Sequence, residues 1–459
     1  MNFSKTEFKD TPIGRIPKEW EVLLLGKYID VYSGFAFKSN DFLSDKNKGI
    51  PIVKIGNLQN GIIKIGKNTS YVSEKFYKEL PDFQLHLGDV LIALSGATTG
   101  KISVVPNDIG LILVNQRVGK FKILDTSKYF EWFFYYFAQS GIFKKFVLRN
   151  IGQSAQGNLS PLLLKKVLIP LIPLPEQKKI AEILGTVDEA IQKVDEAIEK
   201  TERLKKGLMQ DLLTKGIPSR QQTVDSRQKG KISRRYTVDS RLGKEKREFK
   251  DTEIGRIPED WSVDKLRNLL LLLRNGLTKT QNKKGIGYPI TRIETISNEY
   301  INPNSVGFVD DISQKEIEEY KLSEGDILFS HINSLKHIGK TASYVGTPKI
   351  LLHGMNLLLL RPNKSITDSN YLFYRLKYMR SIGIFKNISK KAVNQASINQ
   401  TELSRIKLPL PPITEQKKVA EILSSVDKKL EILHNRKGKY EKIKKGLMQD
   451  LLTGKRRVK

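Results

Sequence analysis

The chain carries two duplicated stretches that predict its architecture. The first reads Glu176-Gln-Lys-Lys-Ile-Ala-Glu-Ile-Leu184 and returns as Glu415-Gln-Lys-Lys-Val-Ala-Glu-Ile-Leu423. The second, Lys205-Lys-Gly-Leu-Met-Gln-Asp-Leu-Leu-Thr214, returns letter for letter at Lys444–Thr453 with the same spacing. Repeats at a fixed spacing indicate that the chain consists of two similar halves, each ending in the same kind of segment.

Both duplicated segments predict a long helix. Their apolar residues alternate at spacings of three and four, which places them on one helix face that must be buried against another helix. Each segment of nearly forty residues would span roughly 55–60 Å as a helix. The simplest partner for one apolar face is the other, so we expect a two-helix coiled coil within one chain. The seam positions are Ile180, Leu184, Val187, Ile191, Val194, Ile198, Leu208 and Leu212, then Val419, Leu423, Val426, Leu430, Leu433, Tyr440, Leu447 and Leu451.

Length and charge narrow the class of protein. A chain of 459 residues is too long for one core and indicates at least two domains. Its net charge of +30 favours a polyanionic partner, most often nucleic acid, although a ribosome-associated or simply soluble protein can have such a surface. The absence of cysteine excludes disulfides, thiolate nucleophiles and cysteine-bound zinc, and it fits a reducing cytoplasm.

The sequence also predicts a cytoplasmic rather than a membrane or secreted protein. Residues 1–10 lack the apolar core of a signal peptide. No apolar run approaches the roughly 20 residues that a membrane-spanning helix requires. The longest leucine-rich runs, at residues 269–273 and 357–360, are far too short.

Each half opens with the same segment and continues as a mixed domain. Phe8–Trp20 matches Phe249–Trp261, and its Pro and Gly content excludes a helix, while the Trp is expected to fill an early core position. Strands, turns followed by strands, aromatic helices and stiff, proline-rich connectors into the long helices are then expected at corresponding places in both halves. These places are Pro51–Gly56 and Pro289–Glu294, Leu87–Ala93 and Ser323–Phe329, Phe130–Phe137 and Tyr371–Met379, and Pro170–Pro175 and Pro409–Pro412.

A basic linker separates the halves. Lys215–Arg247 contains 11 Lys and Arg against 3 acidic residues, with few apolar ones, which is typical of a flexible connection. The predicted domains are 1–174, a helix at 175–215, the linker at 216–247, a second domain at 248–411 and a helix at 412–459. The predicted fold class is α+β: two globular mixed α/β domains separated by two long helices that form an antiparallel coiled coil with pseudo-two-fold symmetry.

The opening segments, the Gly-Asp turns at 88–89 and 325–326 and the repeated long segments together resemble the specificity subunit of type I restriction-modification systems. The resemblance covers nearly the whole chain except the linker. It implies two target-recognition domains, each reading one half of a split sequence in double-stranded DNA. It also implies helical regions that act as a ruler and dock two methyltransferase subunits, and restriction/translocase subunits that join the complex. S-adenosylmethionine, Mg²⁺ and ATP are then expected in the partner subunits and no cofactor in this chain. The target bases do not follow from it.

Catalytic motifs are not found in the sequence. An adenine methyltransferase needs an Asn/Asp-Pro-Pro-aromatic tetrad, and Leu410-Pro-Pro-Ile413 fails at both ends. Gly96-Ala-Thr-Thr-Gly-Lys-Ile102 is one residue short of a phosphate-binding loop and ends in Ile. A metal nuclease site built from Asp310 and Glu319-Tyr-Lys321 has no counterpart in the first half. The histidines form no helical pair for zinc. We therefore expect a non-catalytic subunit with no metal site.

Polar loops in corresponding places of the two halves are the candidate DNA-binding sites, although ordinary surface loops have the same character. Arg, Lys, Asn and Gln read base edges, while Lys, Arg, Ser and Thr contact phosphates. In the first half the loops are Gly34–Asn40, Ser95–Lys101, Asn115–Arg117 and Arg149–Asn158, with candidates Lys38, Ser95, Thr98, Thr99, Lys101, Asn115, Gln116, Arg117, Arg149, Gln153, Gln156 and Asn158. In the second half they are Thr278–Lys284, His331–Lys340, His353–Asn356 and Lys390–Gln395, with candidates Lys279, Gln281, Lys283, Lys284, His331, Asn333, Lys336, Lys340, Lys390, Lys391, Asn394 and Gln395.

The outer faces of the long helices are the candidate docking surfaces for two identical partners, because their charged residues are repeated. These residues are Lys178, Lys179, Glu182, Lys205 and Lys206 in one copy and Lys417, Lys418, Glu421, Lys444 and Lys445 in the other. The aromatic residues of Phe130–Phe137 are expected to pack in the core rather than stack on bases. A coiled-coil scaffold or RNA-associated adaptor without duplex specificity remains the alternative function, and a self-contained restriction enzyme is disfavoured by the missing motifs.

Overall fold

The structure is a computed structural model of the chain. It describes residues 7–44, 49–59, 61–66, 68–106, 110–151, 157–218, 247–297, 299–392 and 395–458, with only the backbone of Lys391 and Ala392. The chain divides into two compact units. Unit 1 comprises Met1–Glu196 with His434–Lys459, and unit 2 comprises Ala197–Leu433. Each unit therefore combines one globular domain with parts of both long helices.

The globular domain of unit 1 is a mixed α/β domain. Its strands are β1 Phe8–Thr11, β2 Gly14–Pro17, β3 Glu21–Leu24, β4 Ile29–Ser33, β5 Ile50–Val53, β6 Leu58–Gln59, β7 Ile62–Ile63, β8 Ser70–Val72, β9 Val90–Ala93, β10 Ile102–Val104, β11 Leu113–Val114, β12 Val118–Ile123 and β13 Leu168–Leu171. Its helices are α1 Glu74–Glu79, α2 Glu131–Ala138, α3 Gly141–Ile151 and α4 Pro161–Leu164, and α5 Leu174–Thr214 is the first long helix.

The main sheet of unit 1 has the strand order β4-β12-β9-β10-β7-β6, and β11-β5-β8 form a smaller sheet beside it. The aromatic helix α2 packs on the main sheet, with Phe133, Phe134 and Phe137 fully buried in the core. This confirms that the aromatic cluster is core rather than a base-stacking surface. Trp20, which follows the β1–β2 hairpin, is completely buried in the same core, as the opening segment predicts.

Unit 2 repeats this plan with shorter sheets. Its strands are β14 Phe249–Thr252, β15 Gly255–Pro258, β16 Ser262–Lys265, β17 Leu270–Asn275, β18 Tyr288–Ile290, β19 Gly307–Val309, β20 Ile327–Phe329, β21 Ile332–Asn333, β22 Thr341–Ser343, β23 Leu358–Pro362, β24 Lys390–Ala392, β25 Gln395–Ser397 and β26 Lys407–Leu410. Its helices are α6 Gln314–Tyr320, α7 Ser369–Ser381, α8 Ile384–Ile388 and α9 Gln400–Ser404, followed by the second long helix, α10 Ile413–Leu451.

The main sheet of unit 2 has the order β17-β23-β20-β22, and β21-β25-β24 form a three-stranded sheet. The aromatic-rich helix α7 begins where the Asp368 carboxylate accepts a hydrogen bond from the Tyr371 amide at 2.9 Å, a standard N-cap. Its Leu372, Leu376 and Met379 are buried against the sheet. The predicted helix and strand positions are thus confirmed in both halves.

The long helices run antiparallel within each unit. In unit 1, Ile180 and Leu184 near the start of α5 share a core with Leu451 at the end of α10. In unit 2, Leu212 near the end of α5 packs with Val419 and Leu423 near the start of α10. Burial of the a/d-type positions on both helices confirms the predicted apolar seam.

The repeated Glu-Gln-Lys-Lys motif joins each helix to its domain through the glutamine. Both glutamine side chains are fully buried. The Gln177 amide accepts a hydrogen bond from the Phe130 amide at 2.9 Å and donates to the carbonyls of Lys128 and Ile172, both at 2.7 Å. Gln416 makes the corresponding bonds in unit 2, because it accepts from the Asp368 amide and donates to the carbonyls of Ile366 and Pro411. One glutamine therefore satisfies several buried backbone groups at each junction.

The proline-rich entries to the long helices differ from the prediction of a stiff connector. Leu168–Leu171 is strand β13, which pairs antiparallel with β3, and Lys407–Leu410 is β26, which pairs with β16. Each pair forms its own two-stranded sheet, so both strands are edge strands and a proline removes no backbone hydrogen bond of a central strand.

Across the described residues, none of the helices is long and apolar enough to cross a bilayer.

Candidate nucleic-acid interface

Four polar loops of unit 1 converge at one edge of the main sheet. Backbone hydrogen bonds hold them together: the Gln116 amide donates to Phe35 O at 2.9 Å, and the Leu94 amide donates to Arg117 O at 2.9 Å. The Leu159 amide donates in turn to Leu94 O at 2.8 Å. The candidate segments after β4, between β9 and β10 and between β11 and β12 are therefore neighbours of one another and of residues 157–159, although they are far apart in sequence.

The converging loops of unit 1 expose cations and amides. Gln116 and Arg117 are exposed, as are Lys38 and Arg149. Among the described residues, the guanidinium groups of Arg117 and Arg149 have no hydrogen-bond or ion-pair partner. Asn115 is instead buried, and its carboxamide oxygen accepts a hydrogen bond from the Arg117 amide at 3.4 Å, so it orients the loop rather than facing solvent.

An apolar contact supports the β9–β10 loop of unit 1 from behind. Gly100 has a φ of +84°, and a Cβ there would lie 2.5 Å from Val147 Cγ1 of α3. The loop therefore turns tightly onto α3, which only glycine permits. Thr98 is exposed and Ser95, Thr99 and Lys101 are half-exposed at its outer side, and the Thr99 hydroxyl donates to Gly96 O at 2.6 Å.

The corresponding loops of unit 2 meet in two pairs. The Leu277 amide donates to His353 O, and the Ile398 amide donates to His331 O at 2.9 Å. A Cβ on Gly276 would lie 1.9 Å from Gly354 O, so the two segments approach as closely as backbones can. Strand β25 pairs with both β21 and β24 and brings the hairpin at residues 390–397 beside the loop that begins at His331.

The candidate side chains of unit 2 fall into two groups. Lys283, Lys284, Lys336, Lys390 and Gln395 are exposed. The others are engaged within the domain: Lys279 donates to Glu316 at 3.0 Å and to Asp311 O at 2.7 Å, and Gln281 accepts from Arg292 at 3.3 Å. Asn333 bonds Ser330 and the Ser334 amide, and Lys340 bonds the carbonyl of Ser297. The exposed group is the better placed to meet a ligand.

A charged network supports the β20–β22 loop of unit 2. Arg380 of α7 donates to Lys336 O at 3.1 Å and to Ile338 O at 3.3 Å, and it pairs with Glu299. Lys377 pairs with the other oxygen of Glu299 at 3.0 Å. Although burial opposes ionisation of Glu299, the neighbouring cations hold its pKa below the usual value. Glu299 itself has a φ of +62°, uncommon for a residue other than glycine.

Three histidines line the interior of this region in unit 2. Burial lowers the pKa of His331 and of His353 to about 4, and burial with nearby Lys340 lowers the pKa of His337. His353 is fully buried, and its Nε2 lies 3.0 Å from Leu357 O, so Nε2 carries the proton and donates. The rings of His331 and His353 are therefore neutral at pH 7, and His353 acts as a core residue rather than as a direct contact to DNA.

Some candidates lie outside the described residues. These are Gln153, Gln156 and Asn394, the side chain of Lys391, and residues 219–246 of the predicted linker. Asn158, by contrast, is exposed beside the converging loops of unit 1. The assignment of individual DNA contacts stays a prediction in both units.

The predicted docking faces need one correction. Lys178, Lys179, Glu182, Lys206, Lys417, Lys418, Glu421 and Lys445 are exposed as expected. Lys205 and Lys444 were expected on the same outer faces, but they turn toward the neighbouring helix. Lys205 pairs with Asp427 at 2.5 Å in unit 2, and Lys444 pairs with Asp188 at 2.6 Å in unit 1. Both lysines flank the seam, where an ion pair between helices is available to them.

These ion pairs belong to two matching triads that sequence reasoning missed. In unit 1 the Tyr136 hydroxyl donates to Asp188 at 3.0 Å, and Lys444 lies 5.4 Å from the Tyr136 ring centre. In unit 2 Tyr374 donates to Asp427 at 2.8 Å, and Lys205 lies 6.0 Å from its ring centre. The available signal was the Val-Asp dipeptide at 187–188 and 426–427, which repeats with the spacing of the helices.

The acidic residues considered for a nuclease have structural roles. Glu319 pairs with Arg274 at 3.0 Å, and Arg274 lies over the Tyr320 ring at 4.0 Å. Within the described ranges, no group of three or more His, Asp or Glu side chains is arranged to hold a metal ion. Gly88 and Gly325 have φ values of +84° and +92°, and Asp89 and Asp326 accept hydrogen bonds from amides three residues earlier, which confirms their role in turns.

The two halves match one known family. The model of the type I restriction modification DNA specificity domain matches the chain twice, at residues 17–202 and 258–444. The chain belongs to this family. Each specificity domain begins in the opening segment of a half and extends into the long helix that follows it, so the duplicated helices are an integral part of both domains.

Named relatives of the specificity family agree with this. A Methanocaldococcus jannaschii protein, provisionally named as the type I restriction enzyme MjaX specificity subunit, is 56% identical over 205 residues, which cover 45% of this chain and 48% of that one. The chain thus spans about half the length of this relative. The MjaVIII specificity subunit of the same organism is 28% identical over 479 residues, covering 100% of this chain and 98% of that subunit.

A solved structure shows the same fold. The crystal structure of a type I restriction-modification S subunit from M. genitalium superimposes with a TM-score of 0.57 and covers 96% of this chain and 98% of that one. Its sequence identity is 13%, so the likeness concerns the fold and not the identity of the bases recognised.

Proposed function

We propose that this chain is the DNA sequence-recognition subunit of a type I restriction-modification complex. Each of its two specificity domains reads one half of a bipartite target in double-stranded DNA. The chain itself is non-catalytic, and the partner subunits supply methyl transfer, cleavage and translocation together with S-adenosylmethionine, Mg²⁺ and ATP. The proposed site of action is the cytoplasm, where the DNA is accessible.

The convergence of polar loops at one edge of each main sheet carries this proposal. In unit 1, loops from four separate parts of the half meet there and expose Gln116 and Arg117. In unit 2 the loops meet in two pairs and expose Lys336 and Gln395. Arg and Gln can make bidentate hydrogen bonds to guanine and adenine in the major groove. The net charge of +30 supplies attraction to phosphates along the duplex.

The outer faces of the long helices are the proposed docking surfaces for two methyltransferase subunits. Gly207 and Gly446 occupy equivalent exposed positions with open space where a side chain would be. Leu204 and Ile443 beside them are 52% and 50% exposed. A glycine within a helix costs about 1 kcal/mol relative to alanine, so its repetition at an open position favours a role in close approach by another chain.

Methylome sequencing of cells that carry this chain with its partner subunits tests the proposal. We expect modified adenines in one bipartite motif, with two defined halves and a fixed spacer. Replacing residues 8–170 with the corresponding domain of another specificity subunit should change one half of the motif and leave the other intact. A change in both halves, or modified adenines without a common motif, would contradict modular reading.

The affinity of the complex for its motif should also fall steeply with salt, because several phosphates are neutralised together.

Within this measurement, Arg117→Ala tests a single candidate contact. A bidentate base contact contributes about 1–3 kcal/mol of discrimination at one base pair. The matched control is Lys9→Ala in the β1 strand, which lies outside the converging loops. Equal effects of the two variants would remove Arg117 from the interface.

A further inference from the structure

The glutamate of each repeated Glu-Gln-Lys-Lys motif pairs with an arginine whose side chain is largely buried. In unit 1, Arg457 donates through Nε to Glu176 Oε1 at 2.6 Å and through Nη2 to Oε2 at 2.7 Å. The two side chains are only 9% and 5% exposed. The Val458 amide lies 3.4 Å from the same carboxylate. This bidentate geometry is the strongest form of an ion pair between protein side chains.

Unit 2 builds the same pair from a different part of the chain. Arg247 donates to Glu415 Oε1 at 2.7 Å and to Oε2 at 2.8 Å. The Ile217 amide and Trp261 Nε1 complete the shell of Glu415 at 2.8 and 2.9 Å. Although burial opposes ionisation of Glu415, these donors hold its pKa below the usual value.

In both units the arginine also contacts the opening segment of the domain. Arg457 lies 5.4 Å from the ring centre of Trp20 and pairs with Glu19. Arg247 lies 5.6 Å from the ring centre of Trp261 and pairs with Asp260 at 2.9 Å. Each guanidinium therefore bridges the first turn of a long helix and the segment that opens the domain.

The two arginines come from different parts of the chain. What the two units share is the position of the guanidinium group, not the segment that supplies it. Arg247 stands two residues before Phe249, where the first half has Thr6 before Phe8. Unit 1 fills the place with Arg457, which follows α10. A guanidinium group therefore occupies the equivalent junction between helix and domain in both units, although different chain segments supply it. This is expected if its contacts are needed in both halves.

We propose that Arg457 and Arg247 are positioning residues, each of which fixes the orientation of one specificity domain on the helix pair of its own unit and thereby the reading of one half of the target. The inference rests on the proposed function and deepens it. Base readout requires several loops to meet base edges at once, within tolerances of about 0.5 Å and 10–20°. A rotation at the junction therefore reaches every contact of that domain, although neither arginine lies in the converging loops.

The test uses the complex of the full chain with its methyltransferase subunits. Methylation rates are measured on the motif and on duplexes with one base changed in the first or in the second half, the halves having been assigned by exchange of residues 8–170. Arg457→Gln should reduce the rate on the intact motif at least tenfold and lower discrimination in the half read by unit 1, with discrimination in the other half unchanged. Arg247→Gln should do the reverse.

Matched controls are available in the same hairpins. Arg15 and Arg256 are exposed and lie over Phe8 and Phe249, both at 5.5 Å, in corresponding places. Arg15→Gln and Arg256→Gln should leave rates and discrimination unchanged. Arg457→Lys should restore part of the discrimination, since an ammonium keeps the charge but not the bidentate geometry.

The discrimination ratio separates positioning from simple loss of folded protein, because a ratio of rates does not depend on the active concentration. A fall in rate with intact discrimination in both halves would overturn the proposal, as would equal loss in both halves from either variant. If the wild-type complex itself shows no bipartite motif, the proposed function fails first and the positioning role fails with it. A motif that is present but insensitive to both arginines would refute only the inference.

Discussion

The two specificity domains share their attachment to the long helices but differ in what supports their candidate loops. At the helix side, the same glutamine bonds and the same Tyr-Asp-Lys triads occur in both units. The β9–β10 loop of unit 1 rests on Val147, an apolar side chain, whereas the β20–β22 loop of unit 2 rests on the Arg380–Glu299 network. The attachment is duplicated in chemical detail, while the support of the candidate loops is not.

This difference indicates where each part of the molecule is constrained. A buried glutamine that satisfies backbone groups from two segments permits little substitution, since each unsatisfied group costs about 1–3 kcal/mol. A loop that only has to present side chains at an edge can be supported by apolar or by charged packing. Two domains can therefore read different base sequences while they keep one way of joining the helices.

The largest expected effect tests the shared attachment. Gln177→Leu and Gln416→Leu should each lower the free energy of unfolding by about 3–5 kcal/mol, because several buried backbone groups lose their partners at once. The neighbouring exposed lysines provide controls, and Lys178→Leu and Lys417→Leu should change it by less than about 0.5 kcal/mol. Chemical denaturation of the full chain measures both pairs. A large effect in one unit and a small one in the other would show that the attachments are not equivalent.

Lowering the pH should reduce the stability of unit 2 more than that of unit 1. The pKa of His331 and of His353 in unit 2 is about 4, below the usual 6.5, so the unfolded chain binds protons in this range that the folded domain does not. Stability is therefore full above pH 6.5 and falls as the pH drops toward 4, by on the order of 3 kcal/mol for each histidine. The histidines of unit 1, His86 and His434, are instead exposed.

Hydrogen exchange between pH 7 and pH 4.5 checks this difference. Amides of the unit 2 core should lose protection before those of unit 1. His353→Gln, which cannot acquire a charge, should reduce the pH dependence of unit 2 even if it lowers stability at neutral pH. Parallel loss of protection in both units, or an unchanged pH profile in the variant, would rule out the histidines as the cause.

The next largest effect tests the support of the β20–β22 candidate loop in unit 2. Arg380→Gln removes the ion pair with Glu299 and hydrogen bonds to two loop carbonyls. We expect a loss of about 2 kcal/mol in the free energy of unfolding and weaker discrimination in the half of the target read by unit 2. Lys386→Gln, at an exposed position on α8, is the control. Unaltered discrimination after loss of Arg380 would show that the loop keeps its conformation without the network.

The sequence predicted the parts of this molecule that depend on local pattern or on repetition. The seam positions from Ile180 to Leu212 follow from helical periodicity alone, and the buried Trp20 follows from the opening segment. Strand β13 was mistaken for a stiff connector, because its pairing with β3 joins residues that are far apart in sequence and leaves no local signal. Lys205 was mistaken for a surface residue, since nothing near it in sequence reveals that Asp427 lies opposite.

The sequence located candidate loops but not the environment of their side chains, and DNA contact by these loops stays a prediction. Repetition located corresponding loops in both halves, and the backbone bonds of Leu94 and Ile398 bring these loops together. Whether a loop lysine faces solvent depends on distant partners, as Lys279 shows by pairing with Glu316. The arginine junctions were missed because Arg247 and Arg457 stand in unlike sequence contexts.

The smallest expected effect comes from alanine substitutions at two helix glycines, which should change stability and partner affinity in opposite directions. Gly207→Ala and Gly446→Ala add a methyl group into open space on the outer helix faces, so each should raise the free energy of unfolding by about 0.5–1 kcal/mol. If these faces dock the methyltransferase subunits, the same methyl group obstructs close approach and lowers partner affinity, and the two measurements change in opposite directions. Ser425→Ala, at an exposed position on α10, adds no methyl group to a glycine and should leave partner affinity unchanged. A gain in stability with no loss of partner affinity would mean that the helix faces that carry Gly207 and Gly446 do not bind the methyltransferase subunits.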